Sequence, residues 1–152
     1  MTIFFEFEQD FVNSLRCIPM IVRYKLDTCG VKLKLNHWHE FNKEEKDSLV
    51  HKPCKTAQEI KEYADYLQEL VKEKTGEYAK NLEIESNPKW SNIEEIPEQV
   101  IKKAEEFNFQ LTLSQWQNLD DLQRFVLIKL SKSGHENRNF LPALKEFKLI
   151  NY

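Results

Sequence analysis

The chain has 152 residues, 41% hydrophobic and 31% charged, a balance that suits a packed globular fold and argues against wholesale disorder. A formal net charge of −3 argues against duplex nucleic acid as the main partner, because such binding needs a concentrated basic face. Three glycines and five prolines are too few for the turns of a β-sandwich or barrel.

In chain order, Phe7, Phe11 and Leu15 recur every four residues and predict a short helix over 8–16. Pro19 ends that helix and opens the next, whose apolar face is Val22, Leu26 and Cys29 and whose stop is Gly30. The alternating "VKLKL" is short and has no obvious pairing partner, so it reads as an extended connector burying Leu33 and Leu35. Asn36 then caps a brief helical turn with Trp38 and Phe41, and Asn42 with Glu45 caps a helix running to about His51. Thr56 and Glu59 form a stronger capping box, behind which Ile60, Tyr63, Leu67, Leu70 and Val71 keep helical phase until Gly76. Residues 77–95 lose that phase and read as a linker.

The second half follows the same order. Pro97 opens a helix with Val100, Ala104 and Phe107 on one side, and "FQLTL" follows as a connector. Ser114 with Gln117 reads as a capping box, and Asp120 with Gln123 starts a helix that turns Leu122, Phe125, Val126 and Leu130 inward. After the loop "SKSGHENRN", Asn139 caps a last helix bearing Leu141, Leu144 and Phe147. Residues 18–50 laid over 96–128 without a gap give eight identities, Ile18/Ile96, Pro19/Pro97 and Trp38/Trp116 among them, where chance would give roughly two. The expectation is an all-α single domain, 1–152, built from two pseudo-repeats on one core. Each repeat runs helix, extended connector, short helix, helix: about 18–75 and about 96–147, joined by the 77–95 linker. Trp38 and Trp116 should occupy equivalent core positions.

Candidate chemistry is sparse. Cys17, Cys29 and Cys54 contain no Cys-x-x-Cys pair, which a thiolate metal site usually has, so they read first as reduced, buried thiols. Metal or cluster ligation by these three is the competing reading. His37 and His39 flank Trp38; on a helix their rings diverge, and both read as surface residues. His135, Glu136 and Arg138 share the "GHENRN" loop, but neither a nucleophile nor a phosphate-binding glycine loop accompanies them. With no catalytic set in view, the chain is not expected to be an enzyme or to need a cofactor. Arg23, opposite Ile101 of the second repeat, lies with Arg16 and Lys32 as basic charge around one end of the helix after Pro19, and these suggest a partner surface. No apolar run is long enough to span a bilayer, and "MTIFFEFEQDF" carries acids where a secretory signal carries lysines, so a cytoplasmic location is expected.

"FFEFEQDFVNSLRCIPMIVRYKLDTCGVKLKLNHW", with "LVHKPC", "LTLSQW", "LQRFVLIKLS" and "HENRNFLPALKEF", resembles the cyanobacterial nitrate reductase-associated protein family from about residue 4 to 147. Arg16, Cys17, Arg23, Asp27, Cys29, Gly30 and Cys54 match the N-terminal motif of that family, and His135, Glu136, Asn137 and Arg138 its C-terminal one. The resemblance implies a small cytoplasmic accessory protein of the assimilatory, molybdenum-containing, ferredoxin-dependent nitrate reductase. Its partner would be the catalytic subunit, whose maturation or electron input it would support. The contact surface would be Arg16, Arg23 and Lys32, with His135, Glu136 and Arg138 as the second candidate. The alternative is a cysteine-based metal or iron–sulfur carrier.

Overall fold

The structure is a computed structural model that describes residues 4–9, 17–132 and 138–150. The fold is all-α: eight α-helices and a single two-stranded pairing of two residues each occur among the described residues. Backbone contacts divide the chain into two compact units, residues 1–84 and 85–152, and the division falls inside the segment expected to be a linker.

The first unit opens on a 3-10 turn, Glu6–Glu8, and most of the helix expected over 8–16 lies outside the described residues. Helix α1, Met20–Cys29, buries Met20, Val22, Leu26 and Cys29 and ends on Gly30 at φ 76°. Pro19 offers no side-chain acceptor to the start of α1. The buried carboxylate of Glu8 accepts from the Met20 N–H instead, at 3.1 Å. Helices α2, Leu35–His39, α3, Lys43–His51, and α4, Ala57–Thr75, follow. Their faces meet in one cluster with Trp38, Phe41, Leu49, Val50, Tyr63, Leu67 and Val71, all shielded from water. Asn42 and Thr56 cap α3 and α4 through the Glu45 and Glu59 amides.

The "VKLKL" stretch differs from expectation. Val31–Lys32 is a strand, β1, paired antiparallel with β2, Lys80–Asn81, in the register Val31 to Asn81. Its partner lies beyond the whole of α4, which local pattern cannot reveal. Leu33 is half-buried, while Leu35 is 51% exposed because it begins α2 rather than ending a connector. The Gln68 side chain holds the returning segment, donating to the Ala79 carbonyl at 2.9 Å and accepting from the Ala79 amide at 2.8 Å.

The second unit carries a 3-10 turn at Lys89–Ser91, then α5, Glu98–Glu105, α6, Leu113–Asn118, α7, Asp121–Leu130, and α8, Phe140–Glu146. Its core takes Val100, Ala104, Trp116, Phe125, Val126, Leu127, Leu130, Phe140, Ala143 and Leu144 out of water. Leu122 and Leu141, expected inside, are only half-buried, and Arg124 is buried instead. Its guanidinium donates to the carbonyls of Trp90 at 2.7 Å, Trp116 at 3.4 Å and Leu119, and pairs with Asp121. The 89–91 turn, part of the expected linker, is therefore fastened to α7.

Helices α2 and α6 start earlier than the expected caps Asn36 and Ser114. The N-cap positions are Lys34 and Thr112. Thr112 caps through its hydroxyl, and its own amide donates to Gln115 at 3.0 Å; in the first unit the Lys34 amide donates to Nδ1 of His37 at 3.3 Å. This places a proton on Nε2 of His37, which lies 4.0 Å from Glu77. His37 is buried at 3% exposure, against its reading as a surface residue, while His39 is exposed. Helices α1, α2 and α3 start at 20, 35 and 43, and α5, α6 and α7 at 98, 113 and 121, a constant interval of 78 residues.

Candidate functional site

The chemistry-bearing side chains of the first unit converge where α1 ends against the turn between α3 and α4. Cys29 is the last residue of α1 and Cys54 lies two residues before the Thr56 cap of α4. Gly30 turns the chain away from this corner. A Cβ there would sit 2.7 Å from Ile84 Cγ1 and 2.9 Å from the Leu82 carbonyl, so backbone passes where a side chain cannot.

Both thiols are unbonded and buried. The Cys29 thiol donates to the Leu26 carbonyl and the Cys54 thiol to the Lys25 carbonyl, each at 3.8 Å; the neighbouring Cys54 raises the Cys29 thiol, with burial adding to the effect. The neighbouring Cys29 lowers the Cys54 thiol, and the nearby Lys25 charge lowers it further. Lys25 is fixed by two 2.7 Å hydrogen bonds to the carbonyls of Val50 and Lys52, with its ammonium 5.7 Å from the centre of the Tyr63 ring. Burial lowers the Lys25 ammonium, and burial raises the Tyr63 hydroxyl, which donates to the Leu49 carbonyl at 2.7 Å. The arrangement places two buried thiols close to a fixed ammonium group.

Cys17 stands apart from this pair. It is half-buried ahead of α1 and outside the core cluster that holds the other two. Among the described residues no three His, Cys, Asp or Glu side chains gather into a metal-holding set. Cys29 and Cys54 were legible as buried thiols, but their contact was not, because 24 residues separate them.

The residues expected at a partner surface are distributed differently. Arg16, His135 and Glu136 lie outside the described residues. Arg23 stands in the first turn of α1, half-buried, with Nε donating to the Ile18 carbonyl at 3.1 Å. Lys32 is exposed on β1, past the opposite end of the same helix. Arg138 is exposed just ahead of α8 in the second unit. Sequence reasoning missed the apolar residues around Lys32: Leu35, Tyr78 and Ile84 are all largely exposed in the first unit. An open depression nearby is lined by Asp65, Gln68, Glu69, Tyr78, Ala79 and Asn81.

Among the described residues no helix is long and apolar enough to cross a membrane. No curated protein and no solved structure matches the chain. A family model described as conserved nitrate reductase-associated protein matches residues 4–147.

Proposed function

The chain belongs to the conserved nitrate reductase-associated protein family, and we propose on that ground that it is a non-catalytic accessory protein of the assimilatory, ferredoxin-dependent nitrate reductase. It acts in the cytoplasm on the molybdenum-containing catalytic subunit, supporting maturation or electron input. The observation that carries this reading is the family match across nearly the whole chain, in both units. The contact surface is centred on the exposed Lys32; Arg23, at the opposite end of α1, and Arg16 join the proposal through the sequence motif alone. Arg138 with His135 and Glu136 is the second candidate. Leu35, Tyr78 and Ile84 supply the exposed apolar area that a charged rim alone lacks.

Co-purification with apo and with cofactor-loaded reductase tests the proposal. Binding to the apo form alone identifies a maturation chaperone, and binding to the active enzyme identifies a resident subunit. Binding to neither form, with the reductase folded, overturns the reading. Lys32→Glu should slow association and alter its salt dependence while leaving the helical content unchanged, since the side chain is in solvent. Unchanged association at low salt would move the surface elsewhere.

A further inference from the structure

We propose that the outward face of the β1–β2 ribbon, made by Lys32, Lys34, Tyr78 and Lys80, is a docking face for an acidic protein surface. The inference rests on the accessory-protein reading and adds the chemistry of the contact which that reading needs. The register pairs Lys32 directly with Lys80, which sets two ammonium-bearing side chains on the same face, roughly 5 Å apart at Cβ. Burial alternates along both chains. Val31 is buried, Lys32 exposed, Leu33 half-buried and Lys34 exposed; on the returning chain Ala79 is buried between the exposed Tyr78 and Lys80. Lys34, in extended backbone, and Tyr78 thus lie on the same outward side as the lysine pair.

Like charges directly opposite one another weaken a two-stranded pairing, so folding alone gives no reason for this choice. Among the described residues Lys61, Lys74, Lys102 and Lys103 each pair with a carboxylate, whereas the Lys32, Lys34 and Lys80 ammonium groups have no such partner. The Lys72 ammonium stands 5.3 Å from the centre of the Tyr78 ring and adds to the positive charge there. Tyr78, at 59% exposed, and Leu35, directly after Lys34, put apolar area beside the charges. A chain with a net charge of −3 therefore concentrates bare positive charge on one short ribbon.

That combination fits carboxylates set around an apolar centre, the makeup of a protein–protein contact with a charged rim. A nucleic-acid strand is the poorer match. Asp65 and Glu69 line the depression that also touches Tyr78, Ala79 and Asn81, so a phosphate chain leaving the ribbon on that side meets negative charge.

The test titrates the isotope-labelled full chain with poly-L-glutamate and, separately, with oligo-dT of similar length, and times its association with the reductase catalytic subunit. Poly-L-glutamate should shift the amides of residues 32–35 and 78–80 before others, and lose its effect as salt is added. Lys80→Glu places opposite charges across the ribbon. It should raise the melting temperature slightly and slow association with the reductase roughly tenfold at low salt. A purely structural lysine would not give the two changes together. Lys80→Gln, which removes the charge without reversing it, should lie between the parent and Lys80→Glu on both readouts, and serves if the reversal misfolds. Shifts scattered over the lysines of both units, or stronger binding of oligo-dT to the ribbon, overturn the proposal. Reductase association unaffected by Lys80→Glu also overturns it, and leaves the accessory-protein reading standing. Shifts confined to the ribbon, with no binding to the reductase, support the acidic-surface face and overturn the accessory-protein reading instead.

Discussion

At the scale of single residues, two buried charges hold this fold, and both act through backbone far away in sequence. Glu8 supplies the helix-capping carboxylate that Pro19 cannot, from 12 residues upstream. Arg124 reaches 34 residues back to the Trp90 carbonyl. Arg124→Met keeps the apolar stem but removes the guanidinium that donates to the Trp90, Trp116 and Leu119 carbonyls and pairs with Asp121, so it should destabilise the second unit by about 3 kcal/mol. Urea unfolding followed by tryptophan fluorescence will read this. Neither residue could be recognised from local pattern. In the sequence Arg124 is one polar residue inside "LQRFVLIKL", and periodicity gave its place inward to Leu122. The cysteines divide the same way: the apolar phase of α1 marks Cys29 as buried, while its encounter with Cys54 depends on tertiary packing.

At the scale of elements, several caps and stops were legible from local signals, although Asn139 stands at the start of α8 without a side-chain cap bond. Asn42, Thr56 and Asp120 each accept from the amide three residues on, as their spacing with Glu45, Glu59 and Gln123 requires. The starts of α2 and α6 were misread by two residues. Lys34 is not a capping side chain, and Ser114 with Gln117 competes in sequence with the true pair, Thr112 and Gln115. Gly30 and Gly76 both end helices at positive φ, but only Gly30 has atoms where a Cβ would go. Gly76→Ala should therefore cost about 1 kcal/mol and Gly30→Ala at least about 2 kcal/mol, compared by thermal and urea unfolding. Equal losses would mean that the 82–84 segment yields freely.

The α4 cap also carries a pH dependence. The Thr56 and Lys55 amides hold the Glu59 carboxyl below the usual glutamate range. A lowered folded value means that the contribution is complete above the ordinary glutamate pKa and is lost as pH falls through the lowered one. Glu59→Gln should flatten the acid limb of the melting-temperature profile, with little change in its slope near neutrality.

At the scale of the whole molecule, the all-α class and the order of helices follow from caps and periodicity, whereas the division at 84/85 does not. Residues 77–95 lack helical phase, yet they hold β2 and the turn that Arg124 fastens. The helix starts of the two halves keep a constant interval of 78 residues. Glu83 and Glu85 are exposed on either side of the division, so brief digestion with a glutamate-specific protease should cut there first. Two long-lived fragments are expected on a denaturing gel, and immediate loss of either would show that it cannot persist alone.

The buried indoles Trp38 and Trp116 have a consequence for watching this protein at work. One lies in each unit, Trp38 beneath the Lys46 ammonium and Trp116 donating to the Asn92 carbonyl. Trp90, half-buried, is the remaining one of the three. The chain thus contains its own optical reporters, one in the first unit and two in the second. A Trp38→Phe chain emits from the second unit alone, and a titrant that engages only the first unit would pass it in silence while dimming the parent protein.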